Sequence, residues 1–175
     1  MLLTSSWGQY SGIMAHIHEL KDFTVSAFVL HPEEPQFLLL HHNKIGKWLQ
    51  PGGHIELNEN PIQALNHELH EETGLKPDQW EFVGQPDYPK VDHDFTIEST
   101  LPLPFYLNEH NFSPTHQHID LTYLVKARTA TLTKNPDGAS AIGWFTLEQV
   151  AAKLNDGKLL RATHQVCEWI AKKYF

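Results

Sequence analysis

The chain has 175 residues, a length typical of one globular domain, so we expect residues 1–175 to form a single domain. Its composition, 41% hydrophobic and 19% charged, is ordinary for a folded protein, and the absence of an apolar run near ~20 residues argues against membrane spanning. The formal net charge of −8, from 13 Lys and Arg against 21 Asp and Glu, disfavours bulk nucleic acid as a partner, because phosphate-binding surfaces concentrate cations.

The first third of the chain is predicted to alternate between a short helix and strands. Residues 12–20 carry apolar side chains at helical spacing. Residues 23–30 and 36–42 are rich in β-formers and are separated by HPEEP, which predicts a β-hairpin or two neighbouring strands. Residues 45–56 place a Pro-Gly-Gly turn between short extended pieces.

A helix over residues 61–73 has clear signals at both ends. Asn60 is a suitable N-cap, Pro61 suits the first helical position, and Gln63 can complete a capping box. Gly74 follows the last helical residue, where glycine commonly ends a helix.

The second half of the chain begins with a short extended piece at 80–83 and a long polar stretch at about 85–115. Long connections in compact domains are often binding loops, so we expect this stretch to contribute substrate specificity. Strands are predicted over 119–127 and 141–147.

Two helices are predicted at the end of the chain. Thr146 and Gln149 repeat the capping pattern and open a helix that ends near Asp156. The apolar residues of the final helix are expected to face the core: Leu160, Val166, Trp169, Ile170 and Phe175. This order of elements predicts an α/β or α+β sandwich with a mixed sheet.

Three carboxylates share one side of the helix at 61–73. Glu68, Glu71 and Glu72 stand at i, i+3 and i+4, beside an apolar stripe that includes Leu65 and Leu69. A bound divalent cation would relieve their mutual repulsion, and hard oxygen ligands favour Mg²⁺ or Mn²⁺. The three glutamates alone also fit a solvated acidic helix face.

The surrounding spacing favours the metal site. Gly53, Glu59 and the run from His67 to Leu75 resemble the Nudix signature, G-x5-E-x7-R-E-U-x-E-E-x-G-U, at eight of its nine fixed positions. The chain also resembles a Nudix subfamily with a Lys-x3-Trp-x2-Pro-Gly-Gly segment before the signature, here 44–53, and a His-x-His-x-Asp strand after it, here 116–120.

This resemblance implies an α/β/α sandwich with a Nudix loop-helix. It implies Mg²⁺- or Mn²⁺-dependent hydrolysis of a diphosphate bond in a nucleoside diphosphate derivative, a small molecule, by metal-activated water. By position, Glu68, Glu71, Glu72 and the carbonyl of Gly52 would hold the divalent ions. Glu68 is also the leading candidate to activate water, and Glu59 would support the loop and helix.

His67 departs from the signature, which has arginine at this position. In the family that arginine orients neighbouring glutamates, whereas histidine is shorter, titrates near pH ~6.5 and lacks the forked contact. We hypothesise that His67 still donates to a glutamate. The departure keeps open an alternative function, a Nudix-fold sensor that binds nucleotide derivatives without hydrolysing them.

Further candidates on the substrate side come from the neighbouring segments. His116, His118 and Asp120 alternate at period two and can face one site, or can form a polar strand face. Trp48 either stacks on a base or anchors the Pro-Gly-Gly turn. Two short sets are weaker candidates for phosphate and metal binding respectively: Lys44 with Lys47, and Asp92 with Asp94.

The remaining expectations concern compartment and assembly. Cys167 is the only cysteine and reads as a core thiol, and the N-terminal MLLTSSWGQYSG lacks signal-peptide features, so we expect a cytoplasmic protein. The 13 histidines are dispersed along the chain, which makes a zinc-binding histidine protein the least favoured hypothesis. A homodimer is compatible with a domain of this kind.

Overall fold

The computed structural model describes residues 20–87 and 100–175. In these ranges the chain forms eight strands, three α-helices and one 3₁₀ turn (Pro77–Gln79). The strands are β1 (Lys21–Leu30), β2 (Gln36–His42), β3 (Lys47–Leu49), β4 (Gly52–His54), β5 (Trp80–Phe82), β6 (Tyr106–Ser113), β7 (His116–Ala127) and β8 (Ala139–Thr146). The helices are α1 (Pro61–Thr73), α2 (Leu147–Asn155) and α3 (Arg161–Tyr174).

The eight strands belong to one mixed, open sheet in which β1 is central. β1 pairs in parallel with β7 along its whole length, from Lys21 opposite Gln117 to Leu30 opposite Lys126. Its other edge pairs antiparallel with β4 and, at Leu30, with β2. β7 pairs with β5 and β6, while β2 pairs with β3 and β8.

Helices cover both faces of this sheet, as the α/β/α prediction requires. Side chains alternate along β1, so Val25, Ala27 and Val29 point to the face covered by α1. On that face Leu65 and Leu69 of α1 are fully buried. Phe28 and Leu30 point to the opposite face, where they pack with α2 and α3. Burying each such side chain contributes roughly 1.5–3 kcal/mol, so both helix layers are held by the same strand.

The predicted ends of α1 are confirmed. Asn60 Oδ1 accepts hydrogen bonds from the backbone N–H groups of Ile62 and Gln63 at 2.9 and 3.0 Å. Gln63 Oε1 accepts the Asn60 N–H at 2.9 Å, which completes the capping box. Gly74 ends the helix with φ 77°.

The prediction of a continuous loop over 85–115 is wrong at its end. Residues Tyr106–Ser113 form β6, which pairs antiparallel with β7. The strand was missed because most of its side chains are exposed and polar, so it shows no apolar alternation. Its order comes from backbone pairing with β7, which a local pattern does not reveal.

Two other predictions fall largely or wholly outside the described residues. The helix predicted over 12–20 lies there except for Leu20, and the pair Asp92 and Asp94 lies there entirely.

The final helix buries fewer of the predicted apolar side chains than expected. Ile170 is fully buried and Val166 packs against the core. Leu160, Trp169 and Phe175 are each about half exposed. Trp169 lies on the outer side of α3 and stacks on Phe105, so helical spacing alone overstated the width of the buried face.

Among the described helices, none combines the length and apolar character needed to cross a bilayer.

Candidate functional site

The segment from β4 to α1 brings two glycines against two glutamates of the helix. Gly53 lies beside Glu68: a Cβ at this position would be 2.5 Å from the Glu68 carboxyl carbon. The Gly52 N–H donates to Glu72 Oε2 at 2.9 Å. The loop and the helix are therefore joined through glutamates, and the absence of a side chain at Gly53 is what lets Glu68 approach the strand.

Burial and like charge disfavour ionisation of two carboxyls in this cluster. Burial is the main cause that raises the pKa of Glu68 from 4.5 to about 8. The negative charges of Glu72, Glu71 and Glu59 raise this pKa further, whereas His67 lowers it. Burial likewise raises the pKa of Glu72 to about 7, although the hydrogen bond from the Gly52 N–H lowers it. A bound cation would favour the ionised form of both carboxyls.

His67 bridges two of the glutamates. Its Nε2 lies 3.1 Å from Glu71 Oε2, one helical turn away, and its Nδ1 lies 3.4 Å from Glu59 Oε1. The imidazole therefore contacts carboxylates on both the loop and the helix. This placement agrees with the hypothesis that His67 donates to a glutamate in place of the signature arginine.

The donor set fits a hard divalent cation. Glu68 and Glu72 supply carboxylate oxygens next to the Gly52–Gly53 backbone, and Glu71 lies on the same helix. The second carboxylate oxygen of Glu59, Oε2, is buried and has no hydrogen-bond partner in the described part of the chain. Carboxylate oxygens suit Mg²⁺ or Mn²⁺ rather than softer ions.

The raised pKa values of Glu68 and Glu72 predict that the metal-free protein loses stability as pH rises. Between pH 4.5 and about 8 the folded state keeps a proton on Glu68 that the unfolded chain has released, so the free energy of unfolding falls with pH across this window. The slope contributed by one such group is at most ~1.4 kcal/mol per pH unit. We expect Glu68→Gln to reduce the slope, and Mg²⁺ to oppose the loss.

Urea unfolding in the presence of a chelator measures this slope, at pH values between about 6.5 and about 8. The window limits the contribution of His118, whose pKa is lowered from 6.5 to about 4 by burial first and then by His54, His110 and His116. That shift removes stability as pH falls toward and below 6.5, and its residual slope just above 6.5 is shared by the wild type and Glu68→Gln, so it cancels in their comparison. Equal slopes for the wild type and Glu68→Gln would contradict the prediction.

Two of the three substrate-side candidates that precede the Pro-Gly-Gly turn have partners within the fold. The Trp48 ring packs against Phe145, with a centroid distance of 4.8 Å, and the Lys153 ammonium lies 4.1 Å from the ring centroid. This packing favours the anchoring alternative for Trp48. The Lys47 ammonium donates to the Gly157 carbonyl, and Lys44 is exposed.

The structure separates Asp120 from the glutamates and surrounds it with hydroxyls. Asp120 accepts hydrogen bonds from Thr24 at 2.9 Å, Ser26 at 2.7 Å and Thr122 at 2.5 Å. His118 and His116 share this sheet face, since they alternate with Gln117 and Ile119 along β7. The polar strand face predicted as one alternative is therefore present, and it is buried.

Two features of the site were missed from the sequence. Asn135 Nδ2 donates to Glu71 Oε1 at 3.3 Å, from a loop 64 residues away. Asp22 and His54 lie beside His118, and their potential ligand atoms are all within 4.8 Å of one another. A histidine directly after the Pro-Gly-Gly turn was the available signal, but its neighbours depend on strand pairing.

Comparison with known proteins gives a family match and a curated relative. A family model described as NUDIX domain matches residues 21–164. A Lactococcus lactis subsp. cremoris (strain MG1363) protein named "Probable DHNTP pyrophosphohydrolase" is 30% identical over 105 residues, covering 60% of this chain. The match spans 55% of that relative, little more than half of its length.

Solved structures show the same fold. A hydrolase of the NUDIX family from Clostridium perfringens superposes with a TM-score of 0.67 at 26% identity, covering 86% of this chain and 96% of the other. A MutT protein from Methanosarcina mazei Go1 gives a TM-score of 0.59 at 19% identity, with coverage of 90% and 98%. The second likeness concerns the fold alone.

Proposed function

Because the chain belongs to the Nudix family, we propose that it is a Mg²⁺- or Mn²⁺-dependent pyrophosphohydrolase acting on a nucleoside diphosphate derivative. The observation that carries the proposal is the pair of contacts that join the loop to the helix. Glu68 lies against Gly53, and Glu72 accepts a hydrogen bond from the Gly52 N–H. The name of the Lactococcus lactis relative supports pyrophosphohydrolysis.

The residues have separate roles in this proposal. Glu68, Glu71, Glu72 and the carbonyl of Gly52 would hold the divalent ion. A bound divalent ion supplies positive charge to the diphosphate and lowers the pKa of a coordinated water. Glu59 acts through His67, which holds its carboxylate toward the helix.

Glu68 is the proposed proton acceptor for the attacking water. Its carboxyl is partly buried and lies against Gly53, beside the other proposed ligand groups. A bound divalent ion would favour its ionised form, which is the form that accepts a proton. Attack on one phosphorus of the diphosphate breaks the bridging P–O bond and releases a nucleoside monophosphate and a phosphorylated remainder.

Product chromatography tests the proposed reaction. The protein is incubated with Mg²⁺ and nucleoside diphosphate derivatives that differ in base and leaving group, and the expected product is a nucleoside monophosphate. Intact ligands throughout the panel, together with ligand-induced thermal stabilisation, would instead favour the sensor, the alternative kept open by His67.

His67→Ala is expected to lower turnover about 10–100-fold and to weaken divalent-metal affinity, because groups that orient metal ligands typically contribute effects of this size. The reason is loss of the contacts to Glu71 and Glu59. His67→Arg should retain activity, since guanidinium can contact two carboxylates at once. Steady-state kinetics with Mg²⁺ titration measures both quantities.

His164 offers a matched control for this experiment. It forms a similar i,i+4 pair on α3, with its Nδ1 3.5 Å from Glu168 Oε2. His164→Ala should leave turnover unchanged. Unchanged rate and metal affinity in His67→Ala would show that His67 has no positioning role.

A further inference from the structure

A second group of potential metal ligands lies on the opposite side of β4 from the glutamates. The position of Gly53 opposite Val25, and of His54 opposite Thr24, sends these neighbouring residues to different faces of the sheet. Gly53 faces Glu68, while His54 faces the β1 and β7 side chains of the other layer. The two groups are therefore separate in space although they share one strand.

Three strands contribute to this second group. Asp22 on β1 lies opposite His118 on β7 in the parallel register, and β4 adds His54 from the other edge of β1. The His54 Nε2 is 3.5 Å from Asp22 Oδ2, and the centroids of the His54 and His118 rings are 5.0 Å apart. One potential ligand atom from each residue lies within 4.8 Å of the other two.

The surroundings of the three residues are those of a formed site rather than of a solvated surface. The Asp22 side chain is fully buried, and His118 is 7% exposed. His116 Nε2 lies 3.2 Å from Asp22 Oδ2, where it can orient the carboxylate, and Phe112 stacks on the His118 ring at 4.7 Å. His54 is the partly exposed member, with 26% of its side chain accessible, so solvent reaches the group there.

We propose that Asp22, His54 and His118 form a binding site for a divalent first-row transition metal ion, separate from the glutamate site. Two imidazoles and one carboxylate suit zinc or iron(II), whereas Mg²⁺ prefers oxygen ligands throughout. Ligand bonds of about 2.0–2.2 Å place tetrahedral donors roughly 3.3–3.6 Å apart. The three ligand atoms, which lie within 4.8 Å of one another, would therefore have to approach by up to about 1.5 Å, and His54 is the partly exposed member of the group.

The test measures zinc binding to the full chain without a histidine tag. Metal-free protein is dialysed against Zn²⁺ in excess Mg²⁺, which occupies the glutamates, and the retained metals are measured by mass spectrometry. The wild type should retain about one equivalent of zinc. A parallel sample purified directly from cells distinguishes zinc from iron as the resident ion.

Four variants locate the bound ion. His54→Gln and His118→Gln should each weaken zinc binding by more than the roughly 10–100-fold that follows loss of an outer hydrogen bond. The control His164→Gln, on α3, and the double variant Glu68→Gln/Glu72→Gln should retain zinc at the wild-type level. His54 is partly exposed, so His54→Gln keeps the test decisive if His118→Gln fails to fold.

Three results would overturn the proposal. These are a wild type that retains neither zinc nor iron, a folded His54→Gln with unchanged zinc affinity, and loss of zinc in the glutamate double variant alone. Because the readout is metal content, failure here is distinguishable from absence of hydrolytic activity. Substitution with Co²⁺ adds a check, since its visible absorption reports ligation by histidine and carboxylate in the wild type and should be lost in His54→Gln.

Discussion

Glu68→Gln is expected to lower kcat about 10³-fold or more under saturating Mg²⁺. The substitution keeps the size of the side chain beside Gly53 but removes both the charge for a divalent ion and the carboxylate proposed to accept the proton of water. The effect should appear mainly in kcat, since the amide still fills the space between the strand and α1.

Glu168→Gln is the matched control for this loss. Glu168 also lies on a helix and also carries a carboxylate, but it is on α3, where it pairs with His164. Its replacement should leave kcat unchanged. A Glu68→Gln variant within about tenfold of the wild type would place the proton acceptor on another residue.

Gly52→Ala is expected to destabilise the fold by about 3 kcal/mol. An added Cβ would lie 2.7 Å from the Ser26 Cα and would overlap the Val25 carbonyl. Both groups belong to the backbone of β1, which is fixed by pairing with β7 on its other side. Urea denaturation with linear extrapolation measures the change.

Gly138 and Gly53 provide two comparisons for this prediction. Gly138→Ala meets nothing within 4 Å and should change the free energy of unfolding by less than about 0.5 kcal/mol. Gly53→Ala meets only the end of the Glu68 side chain among its nearest neighbours, so it should displace a carboxylate and weaken metal binding with a smaller cost in stability. Equal stabilities for Gly52→Ala and Gly138→Ala would contradict the account.

The extent to which the sequence predicted the structure depends on how local each feature is. The bounds of α1 follow from Asn60, Gln63 and Gly74, which act within one turn of the helix ends, and they were predicted to the residue. The position of Glu68 and Glu72 beside the Gly-Gly segment followed from the resemblance to the family signature. Helical spacing alone did not distinguish a metal site from a solvated acidic helix face.

Two features that depend on strand pairing were not predicted, namely the Asp22–His54–His118 group and β6. The dispersed histidines argued against one metal site, yet the parallel register of β1 and β7 brings Asp22 to His118 across 96 residues of chain, and β4 adds His54. β6 was missed for the same physical reason, because a polar edge strand is ordered by its neighbour rather than by its own apolar pattern. Local propensity carries no information about either pairing.

Mg²⁺-dependent product formation by the wild type and by Glu71→Gln/Glu72→Gln, measured across a panel of nucleoside diphosphate derivatives, tests the central claim most directly. The account predicts turnover of at least one derivative, dependence on Mg²⁺ or Mn²⁺, and loss of turnover in the double variant. Turnover that persists in the double variant would show that the glutamate helix does not carry the reaction. No turnover by the wild type, with ligand-induced stabilisation, would identify a binding protein instead.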